Sequence, residues 1–366
     1  MTRPADPLRV ALSMLTLVPG GMGGSETYAR ALTEQLHTTD KVRTTAFVPS
    51  TAAGFSRGIP EVVVSSVRVG PSTRGRLAGV ASATLNGRSI RAAMANADAV
   101  HYPFTVMVPR PAKWQAVVQS LLDVQHLELP HMFGRAELLY RRHFYEGAAK
   151  TADIVVTISE FAKRRMVELL GIAPDRIHVA HLGVDMDRYT PNLGPRENFV
   201  LYPARGWAHK NHARLIQAMA ILRRDRPELR LVLTGGALDA LGDLPDWVDR
   251  RGLVSSDELL SLYRSAAALA FPSLYEGFGL PPLEAMASGC PAAVSNAGSI
   301  PEVCGDAAVL FDPMHPEDIA AGIARAIDDG ERLSAGGMAQ AARFTWESCG
   351  DAHVTAYGSA IERHGG

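Results

Sequence analysis

The chain has 366 residues, 47% hydrophobic and 20% charged, with a formal net charge of −1. That length suits two domains of ordinary size, each able to bury its own core, and the near-neutral balance excludes the basic footprint of a nucleic-acid binder. Cys290, Cys304 and Cys349 are an odd set without metal-ligand spacing, which points to free thiols in a reducing compartment. No apolar run reaches the ~18 residues that a membrane-spanning helix needs.

The start, from Arg3 to Val18, carries an apolar stretch like the core of a signal peptide. A glycine-rich loop and an amphipathic helix follow at once, as they would after a first buried strand. Residues 8–15 read as that strand, 20–24 (GGMGG) as the loop, and 25–36 as the helix with Ser25 as its N-cap. The glycines do not fit G-x-G-x-x-G, so the loop is either an anion cradle or a tight turn that merely needs glycine. Residues 42–48, 61–67, 97–103 and 115–123 read as further strands, and 71–97 as a mobile loop followed by a helix. Strands alternating with helices predict a parallel, doubly wound sheet with ligands at the carboxyl ends of its strands. Asp123 closes one strand, where it could orient an acceptor hydroxyl or cap the next turn.

The following helices carry Arg135, Arg141, Arg142, His143, Lys150, Lys163, Arg164 and Arg165. Such a face can make weak peripheral contact with anionic lipid. Glu137, Glu146, Glu160 and Glu168 support the simpler reading of a solvated helix surface. Residues 151–163 read as a strand, a cap at Ser159 and a helix, and 177–185 as a last strand leaving the domain. His178 and His181 are core or hinge residues in this reading, since nothing supplies the other ligands of a metal site. Residues 189–197 are dense in Pro, Gly and Asn. They set the expected boundaries at 1–190 and 191–345, with a terminal helix over 346–366.

Residues 199–212 repeat the strand-to-loop pattern and place Arg205 and Lys210 in the loop. Arginine forks across two phosphate oxygens and lysine adds a point charge; an ordinary loop salt bridge is the alternative. Residues 231–236 read as a buried strand with a glycine exit, and 251–260 as a turn and a capped helix. Residues 271–291, FPSLYEGFGLPPLEAMASGCP, hold the densest set of constraints. Gly277 and Gly279 lack a Cβ and let the backbone approach a ligand, Pro281 and Pro282 suit a first helical turn, and Gly289 with Pro291 stops the helix. The loop amides and the helix N-terminus then face an anion such as a diphosphate. Glu276 and Glu284 bracket this device, and an ionised carboxylate can accept from two neighbouring hydroxyls, as on a ribose or a hexose.

The Glu276-x7-Glu284 pattern resembles the signature of the retaining nucleotide-sugar glycosyltransferases of family 4, and "HLGVD" at 181–185 resembles the same family. The resemblance implies a GT-B fold: two Rossmann-like, doubly wound α/β domains facing a cleft, with a C-terminal helix that crosses back to the first. It implies a cytoplasmic, metal-independent enzyme that needs no cofactor. That enzyme would move a hexosyl group from a nucleoside-diphosphate sugar, GDP-mannose in preference to UDP-glucose, to a hydroxyl of a small-molecule, glycan or lipid-linked acceptor. It further implies that Gly23 and Gly24 face the donor phosphates and that Arg205 and Lys210 stabilise the leaving diphosphate. The base would lie near the backbone of Leu253 and Val254. The amides of Gly277, Phe278, Gly279 and Leu280 would add to the phosphate clamp, with Glu276 on the sugar and Glu284 on the ribose. Related enzymes often carry a His-Asp pair where this chain has Leu122-Asp123. The contact to the donor sugar usually made by that histidine then has no match, unless His126 replaces it; otherwise His126 is a surface or supporting imidazole. An epimerase or phosphorylase on the same fold, and a non-catalytic sugar-nucleotide binder, are the alternatives.

Overall fold

The computed structural model describes residues 6–70 and 72–365. The expectations that begin at Arg3 and at Pro71 lie outside the described residues at those positions. The chain divides into two compact units, Met1–Leu182 with Trp346–Gly366, and Gly183–Thr345.

The first unit holds strands β1 (Leu8–Ser13), β2 (Val42–Pro49), β3 (Glu61–Val64), β4 (Ala99–Tyr102), β5 (Ala116–Ser120), β6 (Ile154–Thr157) and β7 (Ile177–Val179). They form one parallel sheet in the order β3-β2-β1-β4-β5-β6-β7. Every residue of β4, β5 and β6 is buried, because helices cover both faces of a parallel sheet. The strand order reverses between β1 and β4, where an open α/β sheet presents its ligand crevice. Residues expected to extend these strands, such as 180–185 after β7, are irregular instead.

One helix start differs from expectation. The helix Gly24–Thr38 is capped by Gly23, at φ 57°, and Ser25 lies inside its first turn without a capping bond. The left-handed backbone at Gly23, cheap only for glycine, turns the chain into the helix earlier than a serine cap would. Glu26 in that turn accepts the Gly20 N–H at 2.8 Å and holds the loop from its other end. The cap at Ser159 is as expected, its hydroxyl accepting the Ala162 N–H at 3.0 Å.

The terminal helix Trp346–Gly365 belongs to the first unit and is fastened to it by a buried polar chain. His353 Nδ1 lies 2.8 Å from the Cys349 carbonyl, which can only accept, so Nδ1 carries the proton and Nε2 accepts from the Tyr28 hydroxyl at 2.7 Å. Tyr28 in turn accepts from Ser120 Oγ at 2.7 Å, and Ser120 accepts from His101 Nε2 at 2.7 Å. His101 Nδ1 finally accepts from the Tyr357 hydroxyl at 2.9 Å. All five side chains are fully buried. One carbonyl therefore sets every proton in the chain, with both imidazoles neutral.

The second unit holds β8 (Glu197–Pro203), β9 (Arg230–Thr234), β10 (Val248–Gly252), β11 (Ala266–Phe271), β12 (Ala292–Ser295) and β13 (Val309–Phe311), parallel in the order β10-β9-β8-β11-β12-β13. Its order reverses between β8 and β11. The turn expected at the start of 251–260 is instead preceded and partly replaced by β10. This edge strand, VDRRG, carries charge and buries a single residue, so it lacks the apolar run that marks its neighbours. The three cysteines are buried free thiols, each pushed up to about 12 by burial.

Candidate active site

In the second unit the expected donor-side residues gather at the carboxyl ends of β8 and β11, the reversal point of the sheet. Past β8, Lys210 closes a short turn, and Asn211 follows at φ 61°. Asn211 Nδ2 donates to the carbonyls of Pro272 at 3.1 Å and Pro313 at 2.8 Å, while the buried Tyr202 hydroxyl donates to the Lys210 carbonyl at 2.6 Å. The lysine backbone is thus anchored from three strand ends, which leaves its ammonium to be aimed. Lys210 Nζ sits 2.5 Å from Glu276 Oε1, both side chains 14% exposed. The two residues expected on the diphosphate and on the sugar therefore share one ion pair. Arg205 lies over the half-exposed ring of Trp207, 5.3 Å from its centroid.

The loop after β11 is shaped by its neighbours. Gly279, at φ 121°, caps the helix Leu280–Ala287, with prolines in its first turn as expected. A Cβ on Gly279 would come within 2.7 Å of Ile300 Cδ1. Ser299 Oγ donates to the carbonyls of Glu276 at 3.0 Å and Phe278 at 2.7 Å. Gly298 lies so close beneath Glu276 that a Cβ would stand 2.7 Å from its carbonyl oxygen. Phe278 buries its ring against Phe344, so only its backbone can meet a ligand. The result is a rigid ridge that leads from Glu276 into a helix N-terminus, an arrangement suited to anions.

Glu284 lies one turn into this helix. The buried Tyr263 hydroxyl donates to its Oε2 at 2.9 Å, and Tyr189 makes a second hydroxyl contact. Burial raises the Glu284 pKa, and the two hydroxyls and Arg188 oppose that shift by favouring the ionised form. Leu253, 80% exposed, stands at the end of β10 beside the loop that follows β9. Tyr189, Asn211, Tyr263 and Ser299 were not legible as site residues. Their roles depend on contacts across 21 to 102 positions, for which the sequence offers no spacing rule.

In the first unit, Gly23 and Gly24 follow β1 and begin the helix Gly24–Thr38. Asp123 Oδ1 accepts the Gln125 N–H at 3.0 Å, so of its two expected roles the turn cap is formed. His126 is 2% exposed, with Nε2 3.4 Å from Glu146 Oε1 and its ring edge-on to Tyr145. Burial, with Arg141 nearby, lowers its pKa, and Glu146 opposes this. His126 is therefore buried, so of its expected placements the surface imidazole is not the one formed. Of the basic helix residues, Arg141 pairs with Glu137 at 3.0 Å and Arg165 with Glu128 at 2.7 Å, in keeping with a balanced solvated surface. Among the described residues no helix is long and apolar enough to cross a membrane.

The model of the Glycosyl transferases group 1 family matches residues 186–343, and that of Glycosyltransferase Family 4 matches 22–188. The O-antigen chain mannosyltransferase B of Escherichia coli is 30% identical over 273 residues, covering 68% of this chain and 71% of that protein. The chain belongs to glycosyltransferase family 4. A second relative of this family-4 glycosyltransferase, the MMP alpha-(1->4)-mannosyltransferase of Mycolicibacterium hassiacum, is 34% identical over 236 residues, covering 59% of this chain and 56% of that one. Sucrose-phosphate synthase from Thermosynechococcus elongatus superposes with a TM-score of 0.77 at 19% identity, covering 96% and 98% of the two chains. WaaG, a glycosyltransferase involved in lipopolysaccharide biosynthesis, does so with a TM-score of 0.70 at 16% identity, covering 94% and 98%. The two parallel-sheet units are those of the GT-B fold, and the enzyme is a transferase.

Proposed function

We propose that this glycosyltransferase is a retaining, metal-independent hexosyltransferase, with GDP-mannose as its donor. The observation that carries the reading is the Lys210–Glu276 pair, 2.5 Å apart beside the glycine-shaped ridge and the helix that begins at Leu280. Lys210, Arg205 and the amides of Gly277 to Leu280 supply fixed positive charge where a leaving diphosphate gains negative charge. Glu276 takes hydroxyls of the sugar while keeping the lysine aimed, and Glu284, held by two tyrosines, takes the ribose hydroxyls. In this reading Arg205, Lys210 and the helix N-terminus take the place of a metal ion at the diphosphate.

In this reading the bond from the anomeric carbon to the phosphate oxygen breaks as a bond to the acceptor oxygen forms on the same face. The acceptor proton passes to the leaving phosphate oxygen. Both carboxylates bind, and neither acts as nucleophile or base. The similarity to two mannosyltransferases, those of Escherichia coli and Mycolicibacterium hassiacum, supports mannose. The test is an assay of donor turnover and product anomer by NMR, with GDP-mannose and UDP-glucose, in the presence and absence of a chelator. A retained α-anomer from GDP-mannose, unaffected by chelator, is expected. An inverted anomer or activity abolished by chelator overturns the mechanism.

A further inference from the structure

A cavity of about 360 Å³ opens at the carboxyl ends of β9 and β10, among Gly235, Ala237, Asp239, Arg250, Gly252 and Leu253. Its size is in the range of small-ligand sites. The cavity continues the rim that carries Arg205: the Gly206 N–H donates to the Gly236 carbonyl at 3.0 Å, and a Cβ on Gly206 would stand 2.2 Å from the Ala237 carbonyl oxygen. In the strand order β10-β9-β8-β11 the cavity lies on the strands next to β8, the side on which a nucleotide held at the ends of β8 and β11 would set its base. Leu253 offers an exposed apolar side chain for the base to lie on.

The wall of the cavity is held firmly. Ala237 takes a left-handed φ of 59°, a conformation that costs a residue with a Cβ and persists where surrounding contacts impose it. Arg250 Nη1 donates to the carbonyls of Leu238 at 3.4 Å and Gly242 at 3.1 Å and so ties down the turn bearing Asp239. The charges in the cavity are not equivalent. Arg250 is engaged in that turn, and Arg251 is engaged by Asp249 at 2.8 Å and Glu258 at 3.4 Å. The Asp239 carboxylate is fully exposed, and its contact with Arg250 is 4.0 Å, beyond hydrogen-bond length.

We infer that Asp239 is the residue that selects the nucleobase, and that it selects guanine. An ionised carboxylate only accepts hydrogen bonds. Guanine presents two adjacent donors, the ring N1–H and the 2-amino group, which match the two carboxylate oxygens. Uracil presents one N–H flanked by two carbonyl oxygens, so the same carboxylate meets one donor and two repelling acceptors. Adenine sets its amine beside an acceptor nitrogen. This inference rests on the proposed function, since it assigns a base to the donor of that reaction.

The test is calorimetric binding of GDP, IDP, ADP and UDP to the full chain, wild type and Asp239→Asn. IDP lacks only the 2-amino group. Wild type is expected to bind GDP about tenfold tighter than IDP and more tightly still than UDP, the loss of one paired donor being about 1.4 kcal/mol. In Asp239→Asn the advantage of GDP over IDP should vanish while UDP binding is kept or improved. Because Asp239 is a surface residue, retained UDP binding also shows that the variant is folded. Equal binding of GDP and IDP by wild type, or an unchanged GDP-to-IDP ratio in the variant, overturns this inference alone, whereas tighter binding of UDP than GDP overturns it together with the proposed GDP-mannose donor. Failure of every nucleoside diphosphate to bind overturns it together with the proposed function.

Discussion

Lowering the pH should loosen the terminal helix through His353. Burial holds this imidazole at a pKa of about 4, against an ordinary value of about 6.5, and also holds His101 well below that ordinary value. The folded pKa is depressed, so below the ordinary value the unfolded chain binds a proton that the folded chain refuses. Stability is therefore complete above about pH 6.5 and falls as the pH drops toward the folded value, by about 1.4 kcal/mol per pH unit for each histidine. The structural reason is the fixed direction of the polar chain. A proton on His353 Nε2 would face the Tyr28 hydroxyl, which is itself donating to that nitrogen. For His353 alone the loss at pH 5 is about 2 kcal/mol, or about thirtyfold in the opening constant. The assay is hydrogen exchange of the amides of residues 349–360 at pH 7.5 and pH 5, corrected for intrinsic exchange, in wild type and His353→Gln. Glutamine does not titrate, so the gap in protection between the two proteins should shrink by about 2 kcal/mol on going to pH 5. A gap that stays constant with pH would falsify the assignment of that proton balance to His353.

Other outcomes follow from the second unit. Lys210→Ala should lower the rate of transfer by about 10²-fold or more, because it removes charge that meets the leaving phosphate; near-wild-type turnover would take lysine out of the mechanism. Tyr263→Phe removes the 2.9 Å donor to Glu284, and the KM for donor should rise about tenfold with little change in kcat. Since that hydroxyl holds the Glu284 pKa down, the defect should deepen as the pH falls; a defect independent of pH would argue against the assignment. Gly298→Ala combines a φ of 65° with a contact of 2.7 Å to the Glu276 carbonyl oxygen, and should cost about 1–3 kcal/mol, read as a lower melting temperature of the second unit. An unchanged melting temperature would mean that the ridge is not braced there.

Much of the site was legible from local rules. The helix after residue 279 follows from Gly279, Pro281 and Pro282 with Gly289 behind them, each a statement about its own φ or N–H. Buried strands such as β1 and β9 stand out as apolar runs because parallel sheets are covered on both faces. The errors also had local causes. Ser25 has the right chemistry for a cap, but Gly23 can adopt a backbone conformation that starts the helix earlier. Strand β10 pairs on one edge only, and its arginines hide it.

Residue type and spacing alone determined the family, the two α/β units and the presence of a glycine- and proline-shaped ridge between two carboxylates, because glycine, proline and apolar runs constrain the backbone wherever they occur. Partnership was decided only by tertiary structure. That Lys210 meets Glu276 across 66 residues, that Tyr263 holds Glu284, and that His353 closes a proton-ordered chain with Tyr28 across 325 residues are consequences of which strand ends the folded sheets bring together. A side chain's type and near neighbours in sequence do not encode the distant group it will face, and hydrogen bonds and ion pairs are set by that distance.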